Sequence, residues 1–328
     1  MPANLPPNYY TKERELKFAQ TPEEKIQIYL ELLAIMPKHK GTDKLKADLR
    51  ARISKLKREI GKKSGAARVD FYHVPREGAA QVVMLGFPNT GKSQILNALT
   101  NAEPEVRNYP FTTQKPQVGM LLIKNIQIQI VDMPPISKNY APGWFFGIAR
   151  GSNLLLLVLS LATDDVIAEM QTLLNLLESA HIKVYREGED EESENFMLKK
   201  TLFLCNKEDV RKADDRLAKL LKFYNNDYRF LPISAFKGSG IDKLKEEILQ
   251  SLDIIRVYTK HPKRKVDYSQ PFILKKGSKV VELASNIHKD FSTKLKFVRL
   301  WRNGKYNGMR IDRDEVLQDG DIVEFHTK

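Results

Sequence analysis

The sequence Gly86-Phe-Pro-Asn-Thr-Gly91-Lys92-Ser93 stands between an apolar run, QVVMLGF, and an amphipathic one, SQILNALT. Glycines at both ends of the loop let backbone N–H groups turn inward around an anion. A helix starting just behind them adds the positive end of its dipole. Strand, glycine-bearing turn and helix in that order predict a cradle for the phosphate chain of a nucleotide. Gly86, Asn89, Thr90, Gly91, Lys92, Ser93 and Gln94 are expected to line it. Lys92 is expected on the β- and γ-phosphates, where it also serves catalysis, and the Ser93 hydroxyl on Mg²⁺.

Around this loop, apolar strand-like runs alternate with helical patterns. Residues 81–87, 126–131, 154–160, 201–205 and 228–233 read as strands, and 93–101, 163–180 and 242–249 as helices. That alternation predicts an α/β domain over 64–258, a parallel sheet covered by helices. Ahead of it, Thr21-Pro22-Glu23-Glu24 is a helix start: Thr21 caps, Pro22 suits the first turn, and Glu24 closes a capping box. Ile26, Leu30, Leu33 and Met36 share one helical face. After the break PKHKGT, so do Leu45, Leu49, Ile53, Leu56 and Ile60. Residues 1–63 are therefore expected to form an α-helical hairpin. At the other end, a strand at 271–275, a helix at 279–291 and strands at 297–301 and 321–326 predict a small β-grasp module over 259–328. The acidic stretch 188–195, GEDEESEN, reads as a loop without chemistry.

A phosphate cradle does not choose the base. Asn206-Lys207-Glu208-Asp209 follows the apolar run TLFLC and matches the N-K-x-D pattern of guanine sites. The Asp209 carboxylate can accept from guanine N1–H and the 2-amino group, which adenine does not offer. Ser234-Ala235-Phe236-Lys237-Gly238 follows YRFLPI as a loop supporting the same base. Asn206, Lys207, Asp209, Ser234, Ala235 and Phe236 are thus the residues expected at the guanine. Between the two sets lie Tyr109-Pro-Phe-Thr-Thr113 and Asp132, the end of IQIQIVD. Ser93, Thr113 and Asp132 are the expected Mg²⁺ ligands, Asp132 through water. Cys205 reads as a packed strand residue.

NYPFTTQKPQVGML resembles the first switch of Obg-type GTPases. LDIIRVYTK, HKDFSTKLKFVRLW and RDEVLQDGDIVEF are similar to segments of the developmentally regulated GTP-binding (DRG) proteins. The resemblance implies a P-loop G domain preceded by a basic helical hairpin and followed by a ubiquitin-like TGS domain, with GTP and GDP as ligands. It implies that Thr113 is the switch threonine, catalytic and Mg²⁺-binding. It also implies a GTPase associated with the ribosome or structured RNA, acting in translation or ribosome assembly, with a protein regulator through the TGS domain as a further partner.

The chain departs from that family in two places. The interval from Asp132 to Asn206 is short for the domain that DRG proteins insert, and the second switch reads Asp132-Met-Pro-Pro135 where the family has D-x-x-G. Proline has no N–H and fixes φ at about −65°, so the usual backbone donor to the γ-phosphate is missing at 135. Slow unaided hydrolysis is the expectation. The alternative is a hydrolysis-deficient, GTP-dependent RNA or ribosome adaptor. Ile136 stands where a water-orienting glutamine is usual, and some GTPases with a hydrophobic residue there use K⁺. Asn89 is then a candidate K⁺ ligand; the other reading is that it only shapes the loop. Gly143 or Gly147 offers a substitute hinge, and Trp144, Phe145 and Phe146 read as core before switch surface.

Lys and Arg number 54 against 41 Asp and Glu, a net charge of +13, which favours a polyanionic partner. Between Lys38 and Arg68 twelve Lys or Arg face only Asp43, Asp48 and Glu59. The apolar stripe there is used for packing, so RNA phosphate is the expected partner of the hairpin. MPANLPPNYYTKERELK has no apolar core and is not read as a signal peptide. LLLLVLSLA is too short to span a bilayer. A single cysteine fits a reducing compartment, so a cytoplasmic protein with no membrane partner is expected.

Overall fold

The computed structural model describes residues 5–19, 21–37, 40–63, 74–100, 116–136, 143–185, 195–225, 227–261, 264–287, 295–302 and 306–327. They fall into two compact units, 1–120 with 129–244 and 121–128 with 245–328.

The first unit begins with α1 (Pro7–Arg14), α2 (Pro22–Ile35) and α3 (Asp43–Lys63). Thr21 accepts a hydrogen bond from the Glu24 N–H at 3.2 Å and Pro22 opens α2, so the Thr21 cap forms as expected, while the Glu24 carboxylate expected to close the box pairs with Arg150. Ile28, Leu32 and Met36 pack with Tyr9, Ala19 and Leu49, and Ile26 packs with Ile53. Leu30, expected on the buried face, is exposed, because the packed stripe of α2 runs through positions 28 and 32. The helical segment expected as a separate first domain lies in the same compact unit as the first sheet.

That sheet is built from β1 (Ala80–Gly86), β2 (Gln117–Ile123), β3 (Ile126–Asp132), β4 (Leu154–Ser160), and, numbering on past a short parallel pair, β5 (Ile182–Val184) with β6 (Met197–Lys199), from β7 (Thr201–Asn206) and β8 (Phe230–Ile233). Its order is β2-β3-β1-β4-β7-β8, and β1, β4, β7 and β8 run parallel. Every residue of β1 and β4 is buried, as expected of central parallel strands covered on both faces. The helices are α4 (Lys92–Thr100), α5 (Gly143–Gly151), α6 (Val166–Ser179), α7 (Ala213–Phe223) and α8 (Ile241–Ser251). Phe145 and Phe146 lie in the main apolar core with Trp144 packed against it, so this aromatic run is core. Cys205 is fully buried in β7, and burial pushes its thiol up to about 12, which leaves it inert.

Where α1 and α2 meet the rest of this unit, the packed layer is ionic. Arg150 of α5 is 1% exposed and pairs with the buried Glu24 at 2.8 Å; it also donates to the Ala180 carbonyl at 2.8 Å. Lys12 pairs with Glu15 at 2.7 Å and with Glu31. Lys199 donates to the Ser152 carbonyl at 2.7 Å, and burial lowers its ammonium to about 7, against a smaller opposing pull from Glu15. The unfolded chain keeps this proton up to about 10.4, so between those limits it binds more protons than the folded chain. Stability should therefore rise with pH from 7 to 10, by up to about 1.4 kcal/mol per unit. Denaturant titrations across that range should show the slope, and Lys199→Met should flatten it.

The second unit contains β9 (Ile254–Thr259), β10 (Phe272–Lys275), α9 (Val280–Ile287), β11 (Leu295–Arg302), β12 (Tyr306–Ile311) and β13 (Asp321–Thr327). Its sheet runs β10-β9-β13-β11-β12, with β9 and β13 parallel and the other pairs antiparallel. Val280 and Leu283 of α9 pack on Val257, Leu274, Val298, Leu300 and Val323, which is a β-grasp. The boundary expected at 258/259 cuts through β9, whose residues already pair with β10 and β13. The helix expected over 279–291 spans Val280–Ile287, and 288–294 lie outside the described residues, as do 188–194. Among the described residues no helix is long and apolar enough to cross a membrane.

Candidate nucleotide-binding site

Parallel strands place the loops after their C-terminal ends along one edge, where open α/β sheets take ligands. The loop after β1 bends through positive φ at Asn89 (61°) and Gly91 (91°) before α4 begins at Lys92. Gly91 is also a steric necessity, since a Cβ there would stand 2.2 Å from Asn206 Nδ2. At Gly86 a Cβ would meet the Val158 carbonyl at 2.6 Å. Only glycine lets the loop lie this close to its neighbours.

Asn206, buried at the end of β7, ties three motifs together. Its Nδ2 donates to the Thr90 carbonyl at 2.8 Å, and its Oδ1 accepts the Ala235 N–H at 3.1 Å. Lys207 Nζ donates to the Asn89 carbonyl at 2.6 Å, so Asn89 shapes the loop through its backbone while its side chain stays exposed. Asp209 accepts the Ser234 hydroxyl at 2.6 Å, and that bond holds its carboxyl below the ordinary range. The Lys237 N–H in turn donates to Ser234 Oγ at 3.1 Å. Asp209 and Phe236 are both exposed at this edge, Phe236 by 79%. Sequence reasoning missed Ser239, whose hydroxyl donates to Glu208 and closes the same loop from behind. A serine at that spacing carries no signal of its own.

At the phosphate end, Lys92 donates to the Gly86 and Phe87 carbonyls, each at 3.2 Å. Burial lowers its ammonium pKa, with Asp132 opposing. The Ser93 hydroxyl donates to Asp132 Oδ2 at 2.7 Å, while the buried Asp132 Oδ1 has no hydrogen-bond partner among the described residues. Burial raises the Asp132 pKa, and Ser93 and Lys92 pull it back. A hydroxyl beside an orphaned carboxylate oxygen fits Mg²⁺, which takes one or two carboxylates plus phosphate oxygens. Gln94 is exposed on the first turn of α4. Thr113 lies outside the described residues, with the whole of 101–115, and so do 137–142 of the second switch.

The second switch begins without donors. Pro134 and Pro135 have no N–H, and the Ile136 N–H is committed to the Gly86 carbonyl at 3.1 Å. Ile136 is 1% exposed and belongs to the core. The position expected to hold a water-orienting side chain is occupied by a packed core residue.

Residues 81–207 match the family model described as 50S ribosome-binding GTPase, and 255–327 match the TGS domain. The chain is thus similar to the developmentally regulated GTP-binding (DRG) proteins, with a G-domain match followed by a TGS match. An uncharacterized GTP-binding protein of Methanocaldococcus jannaschii is 28% identical over 93% of this chain and 93% of its own length. Developmentally-regulated GTP-binding protein 1 of Xenopus laevis is 25% identical over 90% of this chain and 96% of its own. Among solved structures, a GTP binding protein from Pyrococcus horikoshii shares the fold at a TM-score of 0.51, with 17% identity over 76% of this DRG-like chain and 100% of that one.

Proposed function

We propose that this DRG-like protein binds GTP and GDP with Mg²⁺ and hydrolyses GTP slowly while associated with the ribosome or another structured RNA. Asn206 carries the reading: one buried amide bonds the phosphate loop and the base loop together, which has a use only if both hold one ligand. Asp209, kept ionised by Ser234, is the guanine selector. Lys92, Ser93 and Asp132 hold the phosphates and metal, with Thr113 as the remaining ligand. Held by Ser93, Asp132 and Thr113, a bound Mg²⁺ would supply positive charge to offset the negative charge that develops on the transferring phosphoryl group. The RNA partner is supported by the family description and by α3, where Leu49 and Ile53 are buried while Lys44, Arg50, Arg52, Lys55, Lys57 and Arg58 are exposed.

Unaided turnover of such a site is on the order of 10⁻⁴ to 10⁻³ s⁻¹, so the assay needs single turnovers with and without ribosomes and K⁺. Lys92→Ala should lower the stimulated rate by about a hundredfold or more, since it removes a preorganised cation from the transferring group. Wild-type turnover no faster than a protein-free blank, with ribosomes and K⁺ both present, would count against the enzyme.

A second reading, a GTP-dependent adaptor that does not hydrolyse, is favoured by the donor-free start of the second switch. Pro135→Gly should restore a backbone donor worth about 1.5–3 kcal/mol when charge-assisted, raising the preference for GTP over GDP by about tenfold or more. Calorimetry with both nucleotides reads the ratio. An unchanged ratio would mean that discrimination does not depend on that donor.

A further inference from the structure

We propose that the face of the second sheet opposite α9 binds single-stranded RNA, a base taking the place of the Arg310 guanidinium on the Phe297 ring while Arg299 and the released Arg310 hold the flanking phosphates. In β11, Val298 and Leu300 enter the core against α9, so Phe297, Arg299 and Trp301 lie on the opposite face. On that face Arg299 is exposed, and Phe297 and Trp301 are half-buried. Phe297 is paired across β11 and β13 with His326, and their rings stack with centroids 4.2 Å apart and planes 15° apart. From the other side, β12 brings the Arg310 guanidinium to 4.7 Å from the Phe297 centroid.

Arg310 is the direct cross-strand partner of Arg299, and both are exposed. Like charges placed opposite one another destabilise a strand pair. The nearest carboxylate does not relieve them. Glu324, opposite Arg299, is buried, bonded to His326 at 2.6 Å and paired with Lys260 at 3.7 Å. Among the described residues neither arginine has a carboxylate partner. Two uncompensated guanidiniums beside a stacked ring pair match what a single strand presents, a flat base between two phosphates. An acidic protein surface would answer the charges and leave the rings unused. The choice of RNA over DNA rests on the RNA partner proposed above.

The test is binding of a short labelled oligouridine to the full chain by fluorescence anisotropy over a series of salt concentrations. Arg299→Gln with Arg310→Gln should weaken binding about tenfold and reduce the salt slope by about 1.4, two phosphates' worth on a single strand. Phe297→Leu should weaken it about fivefold or more with the slope unchanged. Thermal melting of each variant shows whether the fold is kept, and the exposed Arg310→Gln alone provides a milder variant. If the sheet variants bind like wild type while Lys55→Gln with Lys57→Gln lowers affinity, the sheet site is overturned and the RNA partner stands. If wild type binds no oligouridine, both readings fall. A dependence on the arginines but not on Phe297 overturns base stacking in favour of an acidic protein surface. Equal affinity for oligodeoxyuridine overturns the assignment to RNA.

Discussion

Asp209→Asn should weaken GTP binding by roughly a thousandfold or more, and should do so without unfolding the protein. A site built to hydrogen-bond two groups of a base loses most of its discrimination when the acceptor is replaced, because the partner groups are left unpaired. Asp209 is exposed and held by one hydroxyl, Ser234 Oγ, so an amide can occupy the same place. Xanthosine carries an oxygen where guanosine carries its 2-amino group, and the asparagine amide can donate to it. Affinity for xanthosine triphosphate should therefore rise as affinity for GTP falls. Competition titrations with GTP, xanthosine triphosphate and ATP measure all three. Unchanged selectivity would remove Asp209 from the base site, whatever the rest of the pocket does.

Arg150→Ala should cost about 3–5 kcal/mol of stability, because it strands the buried Glu24 carboxylate. Chemical denaturation with and without the substitution reads the loss. Arg150→Met combined with Glu24→Gln should recover a large part of it, since the double variant leaves no bare charge and the two changes share one interaction. Equal losses in the single and the double variant would mean that the pair is only space-filling. GTP binding is the second readout. The Arg150 side chain stands on α5, away from the phosphate loop, so affinity should change far less than stability.

Much of the nucleotide site was legible because its chemistry is local. The phosphate loop, NKED and SAFKG each follow a continuous apolar strand, and parallel order brings the three strand ends to one edge. The bond from Asn206 to Thr90 follows from that order, although 116 positions separate the two residues. Edge strands were harder to read. β12, YNGMRI, is largely exposed and interrupted by Gly308 at φ +70°, so it shows no alternation. In β2, QVGMLLI, the glycine lies against Thr100, where a Cβ would come within 2.6 Å, and the apolar pattern is blurred. Only two residues separate β9 from α8, and the turn between them rests on Asp253 at φ 47°, too slight a mark to set a domain boundary ahead of the basic linker. Nor does a string of lysines and glutamates announce burial: Lys12, Glu15 and Lys199 have the composition of a solvated surface and only the packed structure shows otherwise.

The ionic layer under α1 and α2 has a bearing on how this architecture can be taken apart. A chain stripped of its first sixty or so residues would leave Arg150 without Glu24 and bare the face of α5 on which α2 packs. Such a fragment should be difficult to prepare, and its failure to sediment with ribosomes would report damage to the fold before it reported a lost contact. By the same reasoning, recombination cannot easily exchange this leading helical block for another. A donor block would have to bring a carboxylate at the depth of Glu24, or the body an apolar side chain at position 150.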